Sequence, residues 1–146
     1  DLYNRRYFQE EIDRLNQSRR LPISIIVGDM DGLKDTNDNY GHRMGDKYLK
    51  KAAELFESII RKEDIVARIG GDEFAVILPQ TNPESAEKVC KRIRKKCEWC
   101  NQKQDLPLPI SISVGCATAF TKDESLEDIF KKADSNMYDN KGRNHR

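Results

Sequence analysis

The chain has no surplus of either charge: 26 lysines and arginines face 25 aspartates and glutamates, for a net charge of +1. It therefore lacks the basic footprint of a protein that grips nucleic acid polymers by their phosphates. No apolar run approaches the roughly 18 residues of a membrane span, and nothing resembles a secretory signal peptide. The expectation is a soluble domain without direct membrane contact, in the cytoplasm or on the cytoplasmic face of a membrane-anchored protein. Histidine is scarce, with His42 and His145 far apart in sequence. Of four cysteines, only Cys97-Glu98-Trp99-Cys100 forms a C-x-x-C pair, and no second pair completes a zinc site. Ala86, Val89, Cys90, Ile93, Cys97 and Cys100 instead fall on one helical stripe, where buried thiols act as small hydrophobes. That usage fits a reducing compartment.

What is present is enough for one substantial core, since 146 residues make a single domain. Phe8, Ile12 and Leu15 mark an opening amphipathic helix that stops before Pro22. Ile23-Ser24-Ile25-Ile26-Val27-Gly28 is nearly continuous in apolar character, as in a strand buried on both faces, and runs to about Met30. A short helix is expected over Leu33–Asn39, ending at Gly41. The helical spacing of Tyr48, Ala52, Phe56 and Ile59 predicts a second, longer one. Ile65–Ile69 and Phe74–Leu78 read as hairpin strands, and Pro83 opens the helix with the cysteine stripe. Ile110–Val114 alternates as a strand does, and Leu126, Ile129, Ala133 and Met137 give a last helix. The order α-β-α-α-β-β-α-β-α argues for an α/β (α+β) sandwich with a mixed sheet flanked by helices.

The chemistry concentrates in two carboxylate clusters. Gly70-Gly71-Asp72-Glu73 forms the turn of the hairpin, where glycines supply the positive φ of a tight turn and leave room for a ligand. Taken alone, such a turn is most often a solvated loop. The apolar strand, however, ends in Asp29-Met30-Asp31-Gly32. Alternation puts Asp29 and Asp31 on one face, while Met30 points away and offers its carbonyl. If that strand pairs with the hairpin, Asp29 and Asp72 converge. Oxygen donors without His or Cys suit Mg²⁺.

Asp29-Met30-Asp31, Lys34, Asn37-Asp38, Tyr40-Gly41-His42, Gly45-Asp46 and Arg68-Ile69-Gly70-Gly71-Asp72-Glu73-Phe74 have the order and spacing of GGDEF domains, the bacterial diguanylate cyclases. Ser113-Val114-Gly115, Ala133-Asp134, Met137-Tyr138 and Gly142-Arg143-Asn144 extend the resemblance, and Leu2-Tyr3-Asn4-Arg5-Arg6-Tyr7-Phe8 looks like the tail of the family's opening motif. The resemblance covers essentially residues 1–146. It implies a palm-like nucleotidyl-cyclase fold with the motif on a β-hairpin, in a domain excised from a longer signalling protein.

The resemblance also implies an activity: condensation of two GTP into cyclic di-GMP with Mg²⁺ or Mn²⁺, at the interface of a homodimer. Asp29, Asp72 and the Met30 carbonyl would hold metal, and Glu73 would be a catalytic acid or a further ligand, with Asp72 also part of the catalytic pair. Gly32, Leu33 and Lys34 resemble the phosphate cradle, and Gly70 and Gly71 leave the nucleotide space. The family usually carries a bulky residue at the Gly32 position, so glycine there is expected to loosen the loop. Asn37 and Asp46 match the guanine-reading pair, with Asp46 alternatively capping the following helix. Arg61-Lys62-Glu63-Asp64 matches the R-x-x-D site through which cyclic di-GMP inhibits its own synthesis, although Arg43-Met44-Gly45-Asp46 satisfies the bare pattern too. The family's Tyr-x-Ala-Lys-x-x-Gly-Arg-Asn is two residues shorter here. Lys141 and Arg143 therefore cannot share a helical face, and are expected to reach phosphate from a non-helical end. The rival reading is a catalytically silent module that binds GTP or cyclic di-GMP.

Overall fold

The computed structural model describes residues 2–18, 20–103 and 106–144, with the backbone alone at 142–144. The elements run β1 (Tyr3–Asn4), α1 (Arg5–Ser18), β2 (Ile23–Met30), α2 (Leu33–Tyr40), α3 (His42–Ile59), β3 (Ile65–Arg68), β4 (Glu73–Leu78), α4 (Pro83–Gln102), β5 (Ile112–Ala119) and α5 (Leu126–Asn144). They form one five-stranded sheet in the order β1-β3-β4-β2-β5. β1 runs parallel to β3, while the β3–β4, β4–β2 and β2–β5 pairs are antiparallel. The mixed sheet is as expected. The two-residue β1 was not, because so short an edge strand leaves no period to detect.

β2 is an interior strand between β4 and β5, and every one of its residues is buried, which accounts for its lack of alternation. Ile26, Met30, Val66, Phe74 and Val76 pack on one face against α3 and α4 residues such as Tyr48, Phe56 and Ile93. Ile25, Val27, Ala67, Ala75 and Ile77 pack on the other against Phe8 and Ile12 of α1 and Ile129, Ala133 and Met137 of α5. The result is a three-layer sandwich. Among the described residues, no helix is long and apolar enough to cross a membrane.

Some boundaries differ from the sequence reading. β5 spans Ile112–Ala119 rather than 110–114. Its start is delayed because Ile110 is held by the Asn101 side chain, which accepts from the Ile110 N–H at 2.7 Å and donates to its carbonyl at 2.9 Å. α3 begins at His42, six residues before the first buried aromatic, Tyr48. Asp46 thus lies inside the helix and does not cap it. α4 starts as expected, with Pro83 in its first turn and the Asn82 side chain accepting from the Ser85 N–H at 2.8 Å.

One contact positions α5. A Cβ at Gly115 on β5 would lie 2.1 Å from the Met137 nitrogen and 2.6 Å from the Ala133 carbonyl oxygen, so only glycine admits the helix this close to the strand. Asn136 and Asn140 donate to the Cys116 and Val114 carbonyls at 2.9 and 2.7 Å, fastening the helix to this sheet edge. Lys141 follows one turn after Met137.

Candidate active site at the hairpin

The β2–β4 register puts Asp29 opposite Glu73. The Met30 N–H donates to the Asp72 carbonyl at 2.9 Å, which closes the end of the ladder. The expected convergence of Asp29 with Asp72 is therefore a consequence of strand pairing, and the register adds Glu73 to it. The Met30 side chain turns into the core on the other face, 2 % exposed, as alternation requires.

The turn joining β3 to β4 is a four-residue loop, 69–72, and not a tight two-residue hairpin. The Ile69 N–H donates to the Glu73 carbonyl at 2.9 Å. Arg68 donates from Nε to the Gly70 carbonyl at 3.2 Å and from its terminal nitrogen to the Gly71 carbonyl at 2.7 Å. Arg5 reaches the Ile69 carbonyl from α1 at 3.1 Å. Neither Gly70 nor Gly71 has a positive φ, so the conformational reason expected for this pair is wrong. A Cβ at Gly71 would meet nothing within 4 Å, whereas one at Gly70 would lie 3.4 Å from the Glu73 Cβ, so the fold itself demands glycine at neither position.

Asp29 is 8 % exposed. Its Oδ2 accepts from the Lys141 ammonium, while Oδ1 is buried with no hydrogen-bond partner. Burial pushes the carboxyl up to about 6; Lys141 opposes the rise and Asp72 adds to it. The half-buried Glu73 is also raised, first by burial and then by Asp134 and Asp72, with Arg5 and Lys141 pulling the other way. A buried, unpartnered carboxylate oxygen beside a second carboxylate is a poor arrangement for protein alone, and a good one for a hard cation with oxygen ligands. Asp29, Asp72, Glu73 and the Met30 carbonyl are the donors that could hold it.

Asp31 is not among them. The Ser111 hydroxyl donates to its Oδ2 at 2.6 Å, and the Ser113 hydroxyl to Oδ1 at 2.8 Å. Ser111, Ser113, Arg68, Arg5, Asp134 and Asn140 all shape this site without having been singled out from sequence. Ser113 carried a usable signal, since it opens a quoted motif on the strand facing Asp29. Arg5, Arg68 and Asp134 also lie in stretches that resemble the family's motifs, but those stretches gave no sign that they meet the hairpin carboxylates.

α2 begins beside Asp31. Gly32, at φ +71°, is its N-cap, so glycine fixes this left-handed turn and does not loosen it. The Thr36 N–H and hydroxyl both return to the Gly32 carbonyl, at 3.0 and 3.1 Å. The exposed Lys34 sits in the first helical turn with Leu33. Asn37 lies one turn later, its Oδ1 buried and unpartnered. A Cβ at Gly45 would fall 1.7 Å from that oxygen, so Gly45 creates the slot that holds the amide. Asp46 is exposed beside it on α3.

Comparison with known proteins agrees with this arrangement. The sequence model of the family described as diguanylate cyclase, GGDEF domain, matches residues 1–146. The chain belongs to the GGDEF domain family.

The chain is 31% identical over 150 residues to the probable diguanylate cyclase DgcT of Escherichia coli strain K12, covering 99% of this chain and 33% of that protein. It is 36% identical over 140 residues to diguanylate cyclase A of Treponema denticola, covering 92% of this chain and 38% of that one. This GGDEF domain thus spans about a third of the length of these curated relatives. Among solved structures, it superimposes on the GGDEF domain of DgcB from Caulobacter crescentus in complex with c-di-GMP with a TM-score of 0.87. The two are 27% identical, over 96% of this chain and 85% of that one. The palm-like cyclase fold expected from sequence is the observed one.

Of two further expected sites in this GGDEF domain, one lies away from the hairpin and the other reaches it. Arg61 and Asp64 do pair. The Arg61 N–H donates to Asp64 Oδ2 at 2.8 Å and its guanidinium to Oδ1 at 3.0 Å. The same guanidinium reaches the Pro79 carbonyl at 3.1 Å, the Thr81 hydroxyl at 2.9 Å and Glu63 at 3.3 Å. Asp64 is buried, so the pair also pins the turn between α3 and β3. At the C-terminus, the expectation of a non-helical end is wrong: α5 continues through Asn144. Within it, Lys141 engages Asp29. The Arg143 side chain lies outside the described residues.

Proposed function

We propose that this GGDEF domain is the catalytic unit of a diguanylate cyclase, joining two GTP into cyclic di-GMP with release of pyrophosphate. The observation carrying the proposal is the β2–β4 register, which sets the buried, half-unpartnered Asp29 carboxylate against Asp72 and Glu73. These three and the Met30 carbonyl would hold Mg²⁺ or Mn²⁺. When bound, such cations lower the pKa of the attacking 3′-hydroxyl and neutralise the leaving pyrophosphate.

The remaining roles follow from the residues. Glu73, raised by burial and by its acidic neighbours, is suited to accept the hydroxyl proton as the 3′-oxygen bonds to the α-phosphorus. Gly32, Leu33 and Lys34 offer N–H groups and an ammonium at the start of α2 for the phosphates. Gly70 and Gly71 leave the nucleotide its space. Lys141 can exchange Asp29 for phosphate, and Arg143 is the second cation that the family pattern assigns to the same phosphates. Asp46 would accept from guanine N1–H and the N2 amino group, and Asn37 would bond a further base-edge atom. Adenine lacks that donor pair, which favours GTP over ATP.

One such site holds one nucleotide, so closing the second phosphodiester requires two domains face to face in a homodimer. Product inhibition would act at Arg61 and Asp64. The half-exposed Arg61 borders two concavities, of about 190 and 710 Å³, both also lined by Arg92. An arginine can donate bidentately to guanine O6 and N7.

The deciding experiment incubates concentrated protein with GTP and Mg²⁺ and identifies products by chromatography and mass. Cyclic di-GMP from the wild type, with none from Glu73→Gln that still binds GTP, supports the cyclase. GTP or cyclic di-GMP binding without turnover in the wild type would replace it with a silent binding module.

A further inference from the structure

Two thiols and a carboxylate meet on the opposite face of the sheet from Asp29. Glu87 and Cys90 are three residues apart on α4 and share a helical face, and Cys116 faces them from edge strand β5. Their ligand atoms all lie within 4.8 Å of one another. Cys90 is buried, Cys116 half-buried and Glu87 exposed, so the cluster has a closed floor and an open side. The Cys116 thiol donates to Glu87 Oε2 at 3.5 Å, while Glu87 Oε1 pairs with Arg94 at 3.6 Å. A hydrogen bond between the thiols pushes Cys90 far up and draws Cys116 down.

We infer that Glu87, Cys90 and Cys116 form a Zn²⁺ site that clamps α4 to the edge strand. The donor chemistry selects the ion, because two sulfurs and one oxygen suit a borderline-soft cation and not Mg²⁺. The spacing agrees. Zn–S and Zn–O bonds of about 2.3 and 2.1 Å give a tetrahedral S···O edge of about 3.6 Å. The Cys116–Glu87 separation of 3.5 Å already matches it. Three protein ligands leave a fourth position for water on the open side. Arg94 can keep Oε1, orienting the carboxylate while Oε2 turns to the ion. Binding displaces both thiol protons, so affinity rises with pH.

The C-x-x-C pair that stands out in the sequence is not this site. Among the described residues, Cys97 and Cys100 gain no third ligand at comparable distance. Burial pushes Cys97 up to about 12, as for an inert core thiol.

The test uses reduced, metal-free protein titrated with Zn²⁺ against a chromophoric chelator, and with Co²⁺ read by absorbance. One Zn²⁺ per chain should bind with sub-micromolar affinity. Co²⁺ should give a near-ultraviolet sulfur-to-metal charge-transfer band, which carboxylates at the hairpin cannot produce. Cys116→Ser should abolish the band and weaken Zn²⁺ by at least about 100-fold, and Glu87→Gln by about 10-fold. Cys100→Ser should change neither. Both ligand variants replace accessible side chains, and unaltered circular dichroism would show that they fold. Absence of the band in the wild type, its survival in Cys116→Ser, or its loss in Cys100→Ser would each overturn the assignment.

Discussion

Asp29 links the fold to its chemistry through a measurable proton. Burial, opposed by Lys141 and reinforced by Asp72, moves its carboxyl from 3.8 to about 6. A carboxyl raised in this way binds its proton more tightly in the folded chain than in the unfolded one. Its contribution is therefore complete below about pH 4 and is lost as pH rises through about 6. Between about pH 5 and about pH 7.5 the raised carboxyl gives a loss on the order of 1 kcal/mol, or a few degrees in Tm for a chain of this size. Asp29→Asn keeps the shape and removes the proton. In EDTA, the wild type should lose about that much stability relative to the variant across this range, measured by denaturant titration at several pH values. Glu73 is raised too, but by groups other than Asp29, and its share cancels in the difference. Saturating Mg²⁺ should restore the wild type at pH 7.5 far more than at pH 5, and leave Asp29→Asn nearly unmoved. Parallel stability curves for the two proteins would refute the reasoning.

Lys141→Met removes the ammonium that holds Asp29 down, so the Asp29 carboxyl should titrate above 6, as read by carboxyl NMR; an unmoved titration would contradict the pairing. Gly115→Ala forces α5 off the strand and should cost about 1–3 kcal/mol or more in denaturant unfolding. Gly45→Ala pushes the Asn37 amide from its slot and should raise the GTP KM about 10-fold, the worth of one base-edge hydrogen bond, with a smaller effect on kcat. Arg61→Ala should make initial rates insensitive to added cyclic di-GMP. It should also cost about 1–3 kcal/mol, because buried Asp64 loses its guanidinium donors; full stability with unchanged inhibition would count against both roles.

The hairpin was legible because its evidence is local. β2 announces itself as eight residues buried on both faces, and its acidic end needs only antiparallel pairing with β4 to meet Asp72 and Glu73. The fate of Asp31 was not legible, because Ser111 and Ser113 lie some 80 residues away and reach it only once β5 pairs with β2. The cysteines show the same limit from the other side. Helical spacing put Cys90 on a stripe with Cys97 and Cys100, whereas its closest sulfur neighbour, Cys116, comes from another element. Periodicity reports which face a residue occupies and is silent on what that face meets.

The shortened tail makes this concrete. Spacing alone says that Lys141 and Arg143 diverge around a helix, and it invites a frayed end. The direction of α5 is decided elsewhere, by the close approach at Gly115 and by Asn136 and Asn140 on the β5 carbonyls. Those contacts carry the helix past Asp29 and leave Lys141 as its counter-ion. Among the described residues, Lys141 acts on Asp29, Asp72 and Glu73, and Arg5 on Glu73, with one oxygen of Asp29 still unpartnered. The imbalance is what a nucleotide's cation would correct, and under the proposed function that correction would free the Lys141 ammonium for the phosphates arriving with the cation. If this domain binds GTP as proposed, the shorter tail would leave Lys141 in place for it, because that lysine is aimed by the strand beneath it and not by the residues after it.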